Sequence, residues 1–418
     1  LDRLPKKHAT GMAKKAALSF LILLSFLAVF RDLIANGKPL YCEIGGESYW
    51  PGLHTAIYGH KARFKSPALA AIAEKPPFEA WKDFSLYDKT PVFAPIPFSP
   101  GEYSKQHESS LLPPGATQPG LDARFKHLMG TDNYGRDVAA TLVSGARIAL
   151  LTGSVAMGMA LLLGLVLGTV AGFFGDDRLR TSRARLWATL LAVPVGFFYA
   201  FMARQYELAE SESQAVWWAS IGIFIGIVLV FNMLGKWLAT FPWLGKQVLI
   251  PADLAIMRLA EVFNALPKLI VIIALSVAMR RQHDSIWLLI ALIGAMSWTG
   301  VARFVRAEML RIRAMDYVAA ARGLGLPEWK VLLRHALPNA MRPVWVAVSL
   351  GVASAVLLEA SLSFLGFGGE ALKGISWGSL LARESAQTNP AAAWWVMLPP
   401  GLMICLTVLS LKQLSDKD

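Results

Sequence analysis

Apolar residues in this chain come in long runs. AALSFLILLSFLAVFRDLIA, residues 16–35, is the first, and it follows a basic stretch containing Lys6, Lys7, Lys14 and Lys15. A helix crosses a bilayer with about 20 mostly apolar residues. By that measure eight runs stand out: 16–35, 148–174, 186–203, 216–234, 254–279, 286–305, 344–364 and 393–411. The pattern predicts an all-α integral membrane protein, a polytopic helical bundle of about eight spans. The first run lacks a small-x-small cleavage site and is expected to stay as an anchor.

Composition agrees. Only 17% of the 418 residues are charged and 55% are hydrophobic, against about 25% charged in soluble domains. The net charge of +12 would suggest nucleic acid in a soluble protein, but here its distribution between loops decides its meaning. The loop DDRLRTSRAR carries Arg178, Arg180, Arg183 and Arg185, and the loop RQYELAESESQ is acidic. Residues 303–342 hold eight Lys/Arg against three acids. Basic loops belong on the cytoplasmic side. That arrangement places both termini in the cytoplasm and residues 36–145, with 11 basic and 11 acidic residues, outside. Arg280 and Arg281 in a short outer loop are the one contrary pair. Of the two cysteines, Cys42 and Cys405, neither suggests a disulfide framework.

The stretch DYVAAARGLGLPEWKVLLRHALPNA, residues 316–340, interrupts the apolar pattern. Helix formers occupy 316–322. Gly323 and Gly325 offer a left-handed stop, Pro327 suits a first helical position, and Glu328 suits a first turn. Pro338 disfavours helix at Leu337. The punctuation predicts helix, glycine turn, helix and proline stop. Trp329, Val331, Leu332 and Leu333 make the stretch too apolar for a solvated loop. It docks on a partner, on its own bundle, or on the lipid interface; local physics leaves the three open.

The residues of this stretch resemble the coupling motif of permease subunits in bacterial ABC importers. Ala319, Ala320 and Ala321, then Gly325, then His335-Ala336-Leu337-Pro338 follow the family spacing, with Ala319 where the family often has Glu and His335 where it has Ile. GTDNYGRDV (130–138) with SGARIALLTG, PVFAPIPFSPGEY (91–103), the run from Ser297 to Gly325, LEASLSFLGFG (358–368) and WGSLLARE (377–384) are similar to dipeptide and oligopeptide permeases. They point to the second permease of the pair, similar to the microcin/peptide subgroup.

The resemblance implies a type I importer permease whose six-span core carries an inserted two-span hairpin. Its expected parts are 1–35 (N-terminus and first span), 36–145 (extracytoplasmic segment), 146–180 (first core span), 181–250 (inserted hairpin) and 251–418 (rest of the core, with a cytoplasmic coupling loop at 306–342). An even number of inserted spans keeps every later helix in its usual orientation. The resemblance also implies the coupling contact: Ala319, Ala320, Ala321, Gly325, Leu332, His335, Leu337 and Pro338. Implied partners are a homologous permease in a heterodimer, two ATP-binding subunits that bind ATP and Mg, an extracytoplasmic substrate-binding protein and membrane lipid, with no nucleic acid. The chain itself would bind no cofactor and catalyse nothing, and would sit in the bacterial inner membrane carrying peptides or peptide-like solutes.

Ionisable residues at span depth are functional candidates by default. Arg258, Glu261 and Lys268 lie along the fifth run, with Arg258 and Glu261 on one helical face, and Glu359 lies in the seventh; they serve gating, or Arg258 and Lys268 extend to the interfaces while Glu261 and Glu359 cap or pair within the bundle, which is the preferred reading. Pro194 and Pro267 are expected to kink their helices. Asp132, Arg136 and Asp137 resemble a catalytic cluster but sit at a span entrance, where they read as a turn and helix start. The aromatics of 36–90 (Tyr41, Tyr49, Trp50, Tyr58, Phe64, Phe78, Trp81, Phe84, Tyr87) are expected to pack a small domain rather than face a binding protein. No G-x-x-x-x-G-K-[ST] loop and no H-E-x-x-H occurs, so this chain is not expected to hydrolyse ATP itself, and no metal site is expected. The rival reading is an ATP-independent secondary transporter or a membrane enzyme. A carrier would need paired half-helices or a charged relay, and neither is visible.

Overall fold

The first apolar run folds as α1, Lys6–Val29, followed by a single-turn helix α2, Arg31–Ile34. In this computed structural model the described residues are 6–58, 64, 66–74, 81–102, 111–118, 121–210, 214–279, 286–368, 376–385 and 393–415. Phe78, Arg280 and Arg281 lie outside them. Among the described residues, seven helices are long and apolar enough to cross a membrane, and the bent pair Ala252–Ala265 with Lys268–Ala278 makes eight if it counts as one span. The chain divides into two compact units: the described parts of 1–162, 266–301 and 342–418, and residues 163–265 with 302–341.

In the first unit α1 packs along the last helix, Trp394–Ser415. Its core gathers Leu24, Leu142, Ala146, Val356, Ala360, Trp377 and Val396. Trp377 is buried and its Nε1 donates to the Leu142 carbonyl at 3.0 Å. Gly145 makes room for that indole: a Cβ there would lie 2.3 Å from Trp377 Cδ1. Gly378 lies as close to Ala360, where a Cβ would stand 2.0 Å from the carbonyl oxygen. Helices in lipid approach through such small residues. The glycine of SGARIALLTG, the alanine of LEASLSFLGFG and the tryptophan of WGSLLARE therefore meet at one place.

The segment after α2 is mostly irregular, with a two-stranded ladder of β1, Cys42–Ile44, and β2, Glu47–Tyr49. Gly45 and Gly46, at φ +63 and +79, close it; a two-residue hairpin turn of this hand needs two left-handed residues. Trp81 and Tyr87 are buried and Phe64 packs against Trp81, as expected of a small domain, while Trp50 and Tyr58 stay exposed. A buried column ties this segment to the next helix, Val138–Thr169. Asp137 accepts from Ala140 N at 2.7 Å as the helix cap and from His127 Nδ1 at 2.9 Å. The His127 ring stacks on Phe98 at 4.0 Å, and Lys82 sits 4.1 Å over that ring while pairing with Glu102 at 3.2 Å. Burial lowers the Lys82 ammonium pKa below its usual value, outweighing Glu102. Asp132 accepts from the Tyr134 and Arg136 amides at 2.9 Å. Burial raises its carboxyl above the ordinary range despite Arg136. The cluster is a turn and helix start, as the sequence suggested.

In the second unit the long helix ends in a π turn, Val170–Phe174, and Gly175 at φ +61. Gly168 and Gly172 lie against residues 302–309: Cβ atoms there would stand 2.5 Å from Ala302 O and 2.6 Å from Arg306 O. Asp176 Oδ1 accepts from Asp253 N at 2.9 Å and Leu254 N at 3.2 Å, capping the helix Ala252–Ala265. Arg306 holds the Asp253 carboxylate, with Nη2 to Oδ2 at 2.5 Å.

Between Asp176 and Asp253 the chain makes an excursion. Strand β3, Arg180–Ser182, pairs antiparallel with β4, Gln247–Leu249. Beyond this ladder stand the helices Arg183–Phe197 and Gln214–Leu238, packed together. The first buries Ala184, Ala188, Ala192 and Gly196, and Ala200 continues the series in the π turn that follows. One small residue every fourth position makes a smooth seam.

Two expectations are corrected. Residues 254–279 are not one kinked helix but two helices, Ala252–Ala265 and Lys268–Met279, broken at Leu266 and Pro267. Proline lacks an N–H and drives the residue before it out of helix; here the Pro267 carbonyl accepts the Val271 amide at 3.1 Å and starts the second helix. The proline stop at 338 is also absent. Helix begins at Glu328, passes through a π turn at Leu332–Ala336, and continues as Leu337–Phe364. The π turn bonds Leu337 N to Leu332 O and shifts the register where the Pro338 ring would strike a carbonyl. Asn339 Nδ2 then covers the His335 carbonyl at 2.7 Å.

Candidate coupling site

The hairpin at 316–340 is built by short-range rules and pinned by long-range charge. Its first helix is Asp316–Gly323, with Asp316 in the first turn and Arg322 in the last, both favourable to the helix dipole. Val318 and Ala321 are buried, and Ala319 and Ala320 are exposed. Leu324 N bonds to Ala320 O at 3.0 Å and Gly325 N to Arg322 O at 2.9 Å. Gly325 has φ +78 and open space around its Cα. The position demands a left-handed backbone and presents that backbone outward.

Pro327 takes the cap position, one residue before the helix the sequence placed it in, and accepts from Lys330 N at 2.9 Å. Glu328 joins the two helices. Its Oε1 accepts from Arg322 Nε at 3.0 Å and from Arg178 Nη1 at 3.0 Å, and Oε2 from Arg322 Nη2 at 3.3 Å. The Arg322 guanidinium also lies 5.4 Å from the centroid of the Phe173 ring. Glu328 thus ties the hairpin to itself and to the turn at 175–178. The sequence pointed to none of these as a site: Arg178 and Glu328 stand 150 residues apart.

The named residues divide by environment. Ala321 is buried; Leu332, His335 and Leu337 are half-buried; Ala319, Ala320, Gly325 and Pro338 are exposed. Leu324 is 82% exposed, Trp329 58% and Leu333 56%. Val331, which made the stretch look sticky, is buried. The exposed apolar surface therefore sits at the tip of the hairpin and along the second helix, and solvent alone would not cover it favourably.

The charged candidates are not one group. Arg258 and Glu261 form an exposed ion pair at 2.8 Å. Glu359 is buried in the other unit, where Ser363 Oγ donates to it at 2.8 Å. Arg258 and Glu261 pair with each other, and Glu359 is held by Ser363.

Residues 247–416 match the family described as the binding-protein-dependent transport system inner membrane component. Over this part the chain is similar to that family. The match opens at β4, where the excursion ends, and includes the hairpin. Among curated permeases, a putative peptide transport system permease protein of Brucella suis biovar 1 is 28% identical over 71% of this chain and 72% of its own length. The dipeptide transport system permease protein of Bacillus subtilis is 27% identical over 73% of this chain and 71% of its own. The di/tripeptide transport system permease protein of Pseudomonas aeruginosa is 27% identical over 85% and 94%. The resemblance read from the motifs is borne out: the chain is similar to permeases of binding-protein-dependent peptide transport.

Proposed function

We propose that this permease forms half of the translocation pore of an ATP-driven importer for peptides or peptide-like solutes, and that the hairpin at 316–340 is where ATP-driven motion reaches it. The observation that carries this reading is the hairpin itself. It is a charge-pinned element with an apolar, outward-facing tip, which suits a groove on a second protein. The relatives' names supply the solute class. ATP and Mg are bound by two partner ATPase subunits, a homologous permease completes the pore, and an extracytoplasmic binding protein delivers the solute. Both termini and the hairpin face the cytoplasm of the inner membrane, following the basic loops. Binding of ATP shifts the population between two packings of the bundle by moving the hairpin; the chain needs no catalytic group. Ala320, Gly325, Leu332 and Pro338 contact the ATPase, while Ala321 shapes the hairpin from inside.

Tagged purification in mild detergent with mass spectrometry tests this reading. Recovery of a second permease and an ATPase, together with ATP-dependent peptide uptake after reconstitution, is expected. A solitary chain that moves solute in vesicles without ATP would establish a carrier instead.

A further inference from the structure

The excursion between Asp176 and Asp253 carries a charge pattern that the transport reading does not use. Arg180, Arg183, Arg185, Lys236 and Lys246 are all exposed. None of the five side chains makes an ion pair or a hydrogen bond among the described residues. They gather at one end of the helix pair. The ladder sets Arg180 opposite Leu249. Arg183 N bonds to Lys246 O at 3.1 Å. Gly235, next to Lys236, lies against Arg185, whose Cα would stand 3.0 Å from a Cβ there. No acidic residue occurs in 178–203 or in 214–252, so neither the two long helices nor the ladder carries a charge that offsets these.

Large rings stand at the same end. Trp187, Trp237, Phe241 and Trp243 are exposed, Trp243 by 73%, and Trp237 meets Phe241 edge-on at 6.1 Å. Toward the middle of the pair come exposed Leu190, Leu191, Val230 and Met233. Read along the helices, the surface passes from cations to indoles to aliphatic chains. A phospholipid passes through the same layers, from phosphate to carbonyl region to acyl chain. Tryptophan favours the middle layer, and basic side chains extend toward the outer one.

We propose that this end of the helix pair is a binding site for an anionic phospholipid, with the headgroup phosphate taken by Arg183, Arg185 and Lys246 and the carbonyl region lying beside Trp237 and Trp243. Charge complementarity supports this occupant, and so does continuity with the lipid-facing flank of the same helices. Clustered basic residues beside a membrane helix attract anionic headgroups in either leaflet. The site therefore does not depend on the proposed orientation or on coupling to an ATPase.

The test is native mass spectrometry of the delipidated full-length permease with dioleoyl phosphatidylglycerol or dioleoyl phosphatidylcholine at equal concentration. The wild type should retain the anionic lipid preferentially. Arg183→Gln, Arg185→Gln and Lys246→Gln together should weaken that retention by about tenfold or more. The triple change to Arg183→Lys, Arg185→Lys and Lys246→Arg should preserve it, which separates charge from misfolding. Lys89→Gln, Arg124→Gln and Lys126→Gln, a charge-matched control elsewhere, should also preserve it. Equal retention of the two lipids by the wild type would overturn the proposal. So would unchanged phosphatidylglycerol retention by the glutamine triple. Loss of a co-purifying protein subunit with retention of the lipid would assign the cations to that subunit.

Discussion

Two helical hairpins in the same unit are held closed in opposite ways. The pair at 183–238 is joined along a seam of small residues, Ala184, Ala188, Ala192, Gly196 and Ala200, with its mouth shut by the β3–β4 ladder. Away from its basic end the outward side chains are mostly aliphatic and aromatic, and nothing charged crosses the seam in its middle. The hairpin at 316–331 has helices too short for a seam. A left-handed Gly325, the cap at Pro327 and the Glu328 carboxylate between Arg322 and Arg178 fix it instead. A helix pair in lipid has no hydrophobic drive toward its partner and relies on close backbone approach. A short pair in water relies on punctuation and charge, and it can leave apolar side chains outward only where another protein covers them. The first architecture suits permanent residence in the membrane, the second a joint.

Substitutions can break this contrast, beginning with the largest effect. Gly325→Asp puts a side chain where the backbone is left-handed, at a cost of about 1–2 kcal/mol, and a carboxylate on the docking tip. ATP-dependent uptake by reconstituted protein should fall at least tenfold, while insertion and the 183–238 pair stay intact. Gly235→Leu acts on the other hairpin. Its Cβ would stand 2.8 Å from Ala188 Cβ, and overpacking of this kind costs about 1–3 kcal/mol. The thermal midpoint should drop, with uptake per folded molecule preserved. Trp329→Ala should change the isolated chain's stability by less than about 0.5 kcal/mol. It should nevertheless weaken retention of the ATPase by about tenfold in a pull-down, as loss of an aromatic anchor does. Glu328→Gln is the mildest. The pairs are half-exposed and contribute about 0.5 kcal/mol each after screening, so faster amide exchange across 316–331, rather than unfolding, is the expected readout.

Much of this was legible in the sequence because it rests on local rules. Run length gave the spans, and glycine and proline gave the turn at 323–327. The fourfold spacing of Ala184, Ala188, Ala192 and Gly196 could also have been read as a seam. What escaped depends on distant partners. Nothing near Glu328 announces Arg178, and nothing near Gly145 announces Trp377. Pro338 was misjudged for another reason: a local rule against helix was met by a change of helix type at Leu332–Ala336. Pro267 was the reverse case, where an expected kink became a full break. The environments of Ala319 and Ala321 differ only through tertiary packing, which spacing alone does not give.

The central claim is that the 316–340 hairpin, and not the other helix pair, touches the ATPase. Site-directed cross-linking tests it most directly. With Cys42 and Cys405 replaced by serine, Leu324→Cys, Trp329→Cys and Trp243→Cys are each introduced into the tagged permease, and cross-linked products are identified by mass spectrometry. The account predicts covalent capture of the ATPase from positions 324 and 329 and none from 243. Capture from 243 alone, or from none of the three in a complex that still transports, would contradict it.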